Sequence, residues 1–562
     1  MTGSGAGTAG SSDSAERGQH RPALPFGLVT KVASAVGDGT HAVRAFRQAG
    51  LVRPIRPDKL LRSVMALSRF GPSPAAGSVS GAVHHPNEPA VIDELGALTY
   101  EQLHRRTNSL ARAFGDLGIG PGVGVAIMCR DHRGFIEATI ALSKLGANAL
   151  YLNTAFAGPQ LAAVVDREKP TALVFDDEFA ELLDEPARQR SRFIAWHDSE
   201  KTTDPTLEEL IASASDTELD PPPEPGRVVI LTSGTTGMPK GAQRQPPGLG
   251  PAVSILSCIP LRHRETTVIA APLFHSWGFA HFSLALLLAS TCVLRRRFDP
   301  EATLEAVERH RATALVVVPV MLQRILELPA ETRRRYDTSS LRVVAASGSA
   351  LPGELAVRFM DEFGDVLYNL YGSTEVAWAT IATPAELRRS PGTAGTAPRG
   401  TTVVILDETG QALGPGESGR IFVANEVLFE GYTGGGGKEM IDGLMSTGDV
   451  GHLDEAGRLF VEGRDDEMIV SGGENVFPSE VEHLLARHEA VSEAAVVGVV
   501  DSKFGQRLKA FVVREPGTEL TADEVRDYVK SNLARFKVPR EVEFIERLPR
   551  NATGKVMKRE LT

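Results

Sequence analysis

Between Asn87 and about Ala180 short β-rich runs alternate with helical stretches, and this alternation limits the fold more than any other feature of the chain. Residues 90–93 and 97–99 read as a hairpin around Glu94-Leu-Gly. Over 100–118, Leu103, Leu110, Ala113 and Leu117 recur at helical spacing. Residues 123–129 then read as a buried strand, 134–145 as a helix and 171–175 as a strand. A β-α-β-α order predicts a mainly parallel sheet covered by helices, because parallel strands need long crossovers and bury both faces. A Pro-rich loop at 220–227 leads into a further strand at 228–231, and four glycines at 434–437 predict a flexible surface loop. Near Gly463 the pattern changes. A helix at 478–487, strands at 494–500 and 508–514, a helix at 522–532 and a terminal basic segment predict a separate C-terminal domain. The fold class expected is α/β, with a large N-terminal domain of layered sheets and helices and a small α+β C-terminal domain.

With 562 residues the chain is long enough for several structural units, each able to bury a core. Sixty Lys and Arg against 71 Asp and Glu leave a net charge of −11, and no basic run interrupts the acidic balance. That argues against a nucleic-acid partner. Cys129, Cys258 and Cys292 lie far apart, so neither a disulfide framework nor a clustered cysteine metal site is expected. A reduced, cytoplasmic setting follows. The longest apolar run, 314–322, is interrupted by Pro319 and falls short of the roughly 18 residues a spanning helix needs. The first twenty residues lack the apolar core of a secretory signal, and their Gly/Ser bias marks residues 1–24 as a disordered lead.

Residues 17–70 depart from the acidic whole, with ten Lys/Arg and two Asp, a local charge of +8. Residues 25–82 read as a basic, amphipathic helical extension. Over 57–70, helical spacing puts Lys59, Arg62 and Arg69 on one side and Leu60, Val64 and Leu67 on another. Such a segment, here 25–70, can lie on an anionic membrane surface. Equally, its apolar stripe can pack onto the main domain and leave the charges solvated.

The segment from Val228 to Gly241 carries the strongest chemical signal. A strand empties into Thr232-Ser233-Gly234-Thr235-Thr236-Gly237, and Lys240 follows one turn later. Glycines let successive N–H groups converge on one anion, hydroxyls add donors, and the lysine adds charge, so this is a phosphate cradle. It is not a Walker loop, because Lys240 follows Pro239 and precedes Gly241 rather than a Ser or Thr that could hold magnesium.

Further motifs follow in order: Tyr371-Gly372-Ser373-Thr374-Glu375, Ser446-Thr-Gly-Asp449, Gly463-Arg464-Asp-Asp466, Ser471-Gly472-Gly473-Glu-Asn-Val-Phe-Pro478 and Leu548-Pro-Arg-Asn-Ala-Thr-Gly-Lys555. With these, roughly Asn87 to Leu561 resembles the adenylate-forming superfamily of acyl-CoA synthetases, luciferases and peptide-synthetase adenylation domains. The resemblance implies a large AMP-binding domain at 83–463, a hinge at 464–466 pivoting on Asp466, and a mobile small domain at 467–562. It implies ATP, Mg²⁺ and coenzyme A as co-substrates and cofactor. Tyr371 offers a ring for adenine, with Gly348 letting the backbone approach the other face. Thr374 can donate to the α-phosphate and Glu375 can ligate Mg²⁺. Asp449 would accept from both ribose hydroxyls, and Arg464 would hold the ribose or phosphate. Taken singly, Tyr371 could be a core aromatic, Glu375 a helix cap and Asp449 a turn residue. Lys555 would enter the site from the small domain and stabilise charge on the reacting carboxylate and α-phosphate. Gly472 and Gly473 would approach the pantetheine arm, and His275, in Pro272-Leu-Phe-His-Ser-Trp-Gly278, would gate between acyl pocket and thiol tunnel.

Two apolar runs, 279–289 and 315–326, could line an alkyl pocket or be ordinary core. They favour a medium- or long-chain fatty acid, with an aryl or short-chain acid, or a fatty acyl-AMP ligase loading a carrier protein, as alternatives. A homodimer is a further expectation. No carrier domain follows Lys555, which argues against a modular peptide synthetase. A P-loop ATPase lacks its Lys-Ser pair here, and a non-catalytic regulator would be expected to lose Lys555 or Glu375. The chain departs from the pattern at Asn475, where some relatives carry a phosphate-contacting Arg, and in the Gly434–437 run.

Overall fold

The computed structural model describes Met1 and residues 40–52, 56–156, 158–199, 201–232, 240–243, 250–433, 435–465, 469–471, 474–501, 505–533, 535–551 and 554–561. The chain divides into residues 1–44 and a unit from Ala45 to Thr562, to which all that follows belongs. The expected N-terminal lead, Met1 apart, lies outside the described residues.

Among the described residues the strands form four sheets. The eight-stranded sheet runs Thr380–Ala382, Leu367–Tyr371, Val343–Ala346, Ala314–Val317, Thr266–Ile269, Thr291–Leu294, Pro89–Asp93, Gly96–Thr99. Its interior pairs are parallel and only its two edge pairs antiparallel, as the β-α alternation requires. A seven-stranded sheet runs Gly431–Tyr432, Lys240–Gln243, Val228–Thr232, Asn148–Tyr151, Gly124–Met128, Ala172–Asp176, Ser191–Trp196. It is parallel from Val228–Thr232 onward. The third sheet, Thr402–Leu406, Gly419–Ala424, Leu444–Leu453, Met440–Ile441 and Leu459–Arg464, is wholly antiparallel. The β-α alternation stops before this region, and so did the prediction of a parallel sheet. The fourth belongs to the C-terminal part, where Val491–Asp501 pairs along its length with Gly505–Arg514.

Helices start where the side chains supply caps. Tyr100–Asp116 begins at Thr99, whose hydroxyl accepts from Gln102 N–H while the Gln102 side chain accepts from Thr99 N–H, a capping box. Arg133–Leu145 begins at His132 and ends at Gly146 in the left-handed conformation. Leu103, Leu110 and Phe114 of the first and Phe135, Ile136 and Ile140 of the second are fully buried in the main core. Each contributes about 1.5–3 kcal/mol of apolar burial. The 314–322 run resolves into the strand Ala314–Val317 and the helix Pro319–Glu327. Pro319 occupies the first helical turn, where its missing N–H leaves no bond unmade.

In the basic extension, Pro57–Phe70 packs on Pro74–His84 through Ala66 and Phe70, and Ser63 Oγ lies 2.7 Å from His84 Nε2. The predicted apolar stripe Leu60, Val64 and Leu67 is the exposed face, so it is not what attaches the helix to the domain. Short Ala and Ser side chains allow a closer helix contact than the leucines do.

Candidate active site

The two strands Leu444–Leu453 and Leu459–Arg464 form a hairpin in which Asp449 and Arg464 stand directly opposite. This explains their fifteen-residue spacing. Arg464 Nη1 lies 3.4 Å from Asp449 Oδ1, and Tyr371 Oη donates to Asp449 Oδ2 at 2.6 Å. The segment is braced from below: Thr447 Oγ1 donates to Ile421 O, and Asp449 N donates to Thr447 Oγ1. Burial raises the Asp449 carboxyl, while the Tyr371 hydrogen bond and the charges of Arg464, Lys555 and Lys438 pull it back down. Arg464 contacts this half-buried carboxylate, and the charges of Lys438 and of Lys555, the latter from the far end of the chain, also act on it.

Tyr371 closes the strand Leu367–Tyr371, and the loop after it is held by its own side chains. Ser373 Oγ accepts from the N–H groups of Glu375 and Val376 at 3.2 and 3.3 Å. A Cβ on Gly372 would sit 2.3 Å from Ala377 O, so only glycine fits that position. Glu375 is buried, and its Oε1 accepts from Tyr432 Oη at 2.9 Å. Lys240 Nζ lies 5.1 Å from the centre of the Tyr432 ring. The strand Lys240–Gln243 pairs antiparallel with Gly431–Tyr432, and Gly241 N donates to Thr433 Oγ1, which in turn bonds Glu168. The return strand of the phosphate-loop motif and the Tyr371–Glu375 loop are thereby joined through Tyr432. Thr374 lies within that loop.

Lys555 sits on a turn in which its N–H donates to Asn551 Oδ1 and its carbonyl accepts from Asn551 N–H, both at 2.9 Å. Arg550 Nη1 donates to Gly554 O at 2.6 Å. The turn lodges against the large domain: a Cβ on Gly554, whose φ is +78°, would sit 2.3 Å from Val320 Cγ1. Val318, two residues earlier, also lies against Gly348. One short segment, Val318–Val320, thus meets both the lysine turn and the Gly348 loop.

His275 precedes the helix Ser276–Leu287. Its loop is fixed at three points. Asp131 Oδ1 accepts from Leu273 N, Trp277 Nε1 donates to Val317 O, and His275 N donates to Pro272 O. His275 Nε2 is buried without a hydrogen-bond partner, and burial pushes the ring down to about 4, so it is neutral near pH 7. His281, on the same helix, has a likewise unpartnered Nε2 and is pushed down to about 3. Most of the 279–289 and 315–326 runs is core: Phe282, Leu284, Leu286, Leu315, Leu322 and Ile325 are buried in the main cluster. Phe279 is half-buried, with its ring centre 5.3 Å from that of Tyr151.

Ser233, Gly234, Thr235, Thr236, Gly237, Asp466, Gly472 and Gly473 lie outside the described residues, as does the Thr232 side chain. Sequence reasoning missed Tyr432, Thr433, Glu168 and Lys438. Lys438 could have been found as the first cation after the glycine run; its Nζ reaches Thr447 O at 3.4 Å. Nothing local marks Glu168, which meets Thr433 across 265 positions. Elsewhere Cys129, His132 and Asp176 cluster in the core with metal-like spacing. His132 Nδ1 accepts from Gly134 N–H at 3.0 Å, so its proton is on Nε2 and is donated to Asp176. That ring has no lone pair left for a metal.

Fold and site together define an adenylate-forming enzyme with a large N-terminal and a smaller C-terminal domain. The AMP-binding enzyme family matches residues 80–433, and its C-terminal domain matches 480–555, so the chain belongs to that family. Within the family it is an acid–thiol ligase. A feruloyl-CoA synthase of an Amycolatopsis species is 33% identical over 488 residues, covering 85% of this chain and 96% of its own. An indoleacetate–CoA ligase of Aromatoleum aromaticum is 33% identical, covering 82% and 92%. A fatty acid–[acyl-carrier-protein] ligase of Streptomyces coeruleorubidus is 30% identical, covering 85% and 94%. Among solved structures, an amide bond synthetase of Marinactinospora thermotolerans superposes with a TM-score of 0.78 at 28% identity, over 88% of this chain and 99% of its own. The fatty-acid preference drawn from the apolar runs agrees with one of these names and not with the aryl-acid names.

Proposed function

We propose that the chain activates a compact aryl or cyclic carboxylic acid as its acyl-adenylate and transfers the acyl group to coenzyme A. The joining of Asp449, Arg464 and Tyr371 on the large domain, with the Lys555 turn lodged against Val320 beside the Gly348 loop, is the observation that carries this reading. In the first half-reaction a carboxylate oxygen of the acid attacks the α-phosphorus of ATP. The P–O bond to pyrophosphate breaks, and pyrophosphate leaves with the electron pair. In the second, the CoA sulfur attacks the acyl carbon, the C–O bond to AMP breaks, and the thiol proton is lost.

Adenine would stack on the Tyr371 ring, whose hydroxyl is already committed to Asp449, and the backbone at Gly348 would approach its other face. Asp449, with Arg464 opposite, would take the ribose. Thr374, Ser373 and Gly372 would face the α-phosphate, and Thr232 to Gly237 with Lys240 the outer phosphates. Lys555 would oppose the charge that builds on the carboxylate and α-phosphate, an electrostatic effect that is strong where the donor is fixed before reaction. Tyr432 occupies Oε1 of Glu375, so a hard cation shared with the phosphates would be taken through Oε2, the atom type Mg²⁺ prefers. When bound, Mg²⁺ would screen phosphate charge. Rotation about Asp466 would then withdraw Lys555 and present Gly472 and Gly473 to the pantetheine arm. With its ring pushed down to about 4, His275 is neutral and only weakly basic near pH 7, which suits a gate better than a cation at the thiol.

The aryl preference draws on the feruloyl and indoleacetate relatives and on the ring surface beside the gate, where Phe279 meets Tyr151 and Trp277 meets His281 at 4.4 Å. A second reading, a fatty acid passed to a carrier protein, is favoured by the Streptomyces coeruleorubidus relative. ATP–pyrophosphate exchange across aryl, cyclic and fatty acids, repeated with CoA to follow thioester formation, tests both. Aryl or cyclic acids should exchange fastest and yield CoA thioesters. Fastest exchange with a long-chain acid would replace the first reading by the second.

A further inference from the structure

We infer that the helix Pro57–Phe70 docks this enzyme on the surface of an anionic lipid bilayer, lying flat with its apolar arc in the interface. Leu60, Leu61, Val64, Met65 and Leu67 are 42–61% exposed. They account for five of the twelve exposed large hydrophobics among the described residues, so this is a patch and not scatter. At 100° per residue these five positions fall within one arc of about 160°, which also holds Ser68, its hydroxyl turned back onto Met65 O. The opposite side is closed against Pro74–His84 by Ser63, Ala66 and Phe70, with Lys59 Nζ donating to His84 O at 3.3 Å. The underlying helix cannot shift away easily: a Cβ on Gly81 would strike the buried Tyr100 ring at 2.2 Å, and Tyr100 is itself tied to Ser290 O. The amphipathic helix is therefore held rigidly with its apolar face outward.

Charge decides the occupant. Arg62 and Arg69 fall together along one border of the arc, and Arg56 is already neutralised by Asp58 at 3.1 Å. The sequence around them, 17–70, carries +8 in a chain of −11. A second copy of this helix would bring like charge against like charge, which opposes self-association through this face. Anionic headgroups complement it, while the aliphatic, ring-free arc inserts among acyl chains to the depth usual for interfacial helices. Fourteen residues give a contact about 21 Å long, enough to lie along the surface and too short to cross it.

The test is flotation of the full-length protein with vesicles of phosphatidylcholine alone or mixed with phosphatidylglycerol, at low and high salt. Binding should appear only with phosphatidylglycerol and weaken with salt. The Leu61→Asp/Val64→Asp pair should abolish it. Arg62→Gln with Arg69→Gln should reduce partitioning about thirtyfold, since each basic residue at such a surface is worth roughly 1 kcal/mol. ATP–pyrophosphate exchange should be unchanged in both pairs, which separates this result from any failure of folding or of the ligase reading. Absence of flotation with anionic vesicles, or equal flotation of the Asp pair, overturns the proposal. So does a dimer in solution that the same Asp pair dissociates, because the patch would then belong to a second copy.

Discussion

On the large-domain side of the cleft, Asp449 and Arg464 face each other across a hairpin, Tyr371 completes the set from a neighbouring strand end, and Tyr432 ties Glu375 to the return strand after the phosphate-loop motif. Each group has its hydrogen bond before any substrate arrives. On the other side the Lys555 turn is held by Asn551 and Arg550, and Gly554 packs it against Val320 and Val318 of the large domain. On the proposed reading the difference is a division of labour: the nucleotide-binding groups would be prebuilt on sheet, and the charge that promotes reaction would be delivered by a small, separable contact. Under the proposed rotation Lys555 would leave between half-reactions, and embedding it in a hydrogen-bonded network would slow that departure.

Removing the delivered group should have the largest effect. Lys555→Ala should slow ATP–pyrophosphate exchange about a hundred- to thousandfold. Thioester formation from supplied acyl-AMP should stay within a few-fold of the unmodified enzyme. Equal loss in both half-reactions would erase the distinction drawn here. Gly554→Ala sharpens it further, since the added carbon meets Val320 Cγ1 and the backbone is left-handed. Exchange should fall about tenfold or more, given overpacking costs of roughly 1–3 kcal/mol, and Val320→Ala should restore part of it. No recovery in the double variant would mean that the contact does not position the lysine.

On the helix after His275, away from both sides of this comparison, pH is the probe. His281 is buried and its folded-state value of about 3 lies below the unfolded value near 6.5. The unfolded chain then binds more protons between these limits, so stability rises with pH up to about 6.5 and is lost as pH falls through the window. The slope from one such ring reaches about 1.4 kcal/mol per pH unit. Thermal unfolding of His281→Leu should show a shallower dependence between pH 4 and 6.5 than the parent protein, while an unchanged slope would assign the effect elsewhere. The smallest effect is expected from Tyr432→Phe, which removes one hydrogen bond to Glu375 at a cost of about 1 kcal/mol. The Mg²⁺ concentration for half-maximal exchange should shift about fivefold or less, and a loss as large as that of Lys555→Ala would make Tyr432 part of the chemistry rather than a brace.

Legibility in the sequence followed the range of the interaction. The hairpin at 90–99, the helix beginning at Tyr100 and the C-terminal helix Ala522–Asn532 were readable because caps, turns and apolar periods act over a few residues. The antiparallel third sheet was not, because its pairing is set by partners such as Arg420 and Val450, thirty positions apart. The same split runs through the site. Tyr371, Asp449 and Lys555 stand in recognisable motifs, whereas Glu168 and Tyr432 carry no local mark.

The sequence by itself determined the family, the order of the chemical motifs and the amphipathic, basic character of the 57–70 helix, since each is written in residue types at fixed spacing. Tertiary structure alone decided that the Lys555 turn lodges against Val320, that Tyr432 rather than solvent meets Glu375, and that the 57–70 leucines point outward. Those outcomes depend on which surfaces pack closest: small residues let the helix attach by its Ala66 side, and a glycine lets a distant turn approach Val320. Steric fit between segments hundreds of residues apart has no counterpart in local sequence pattern.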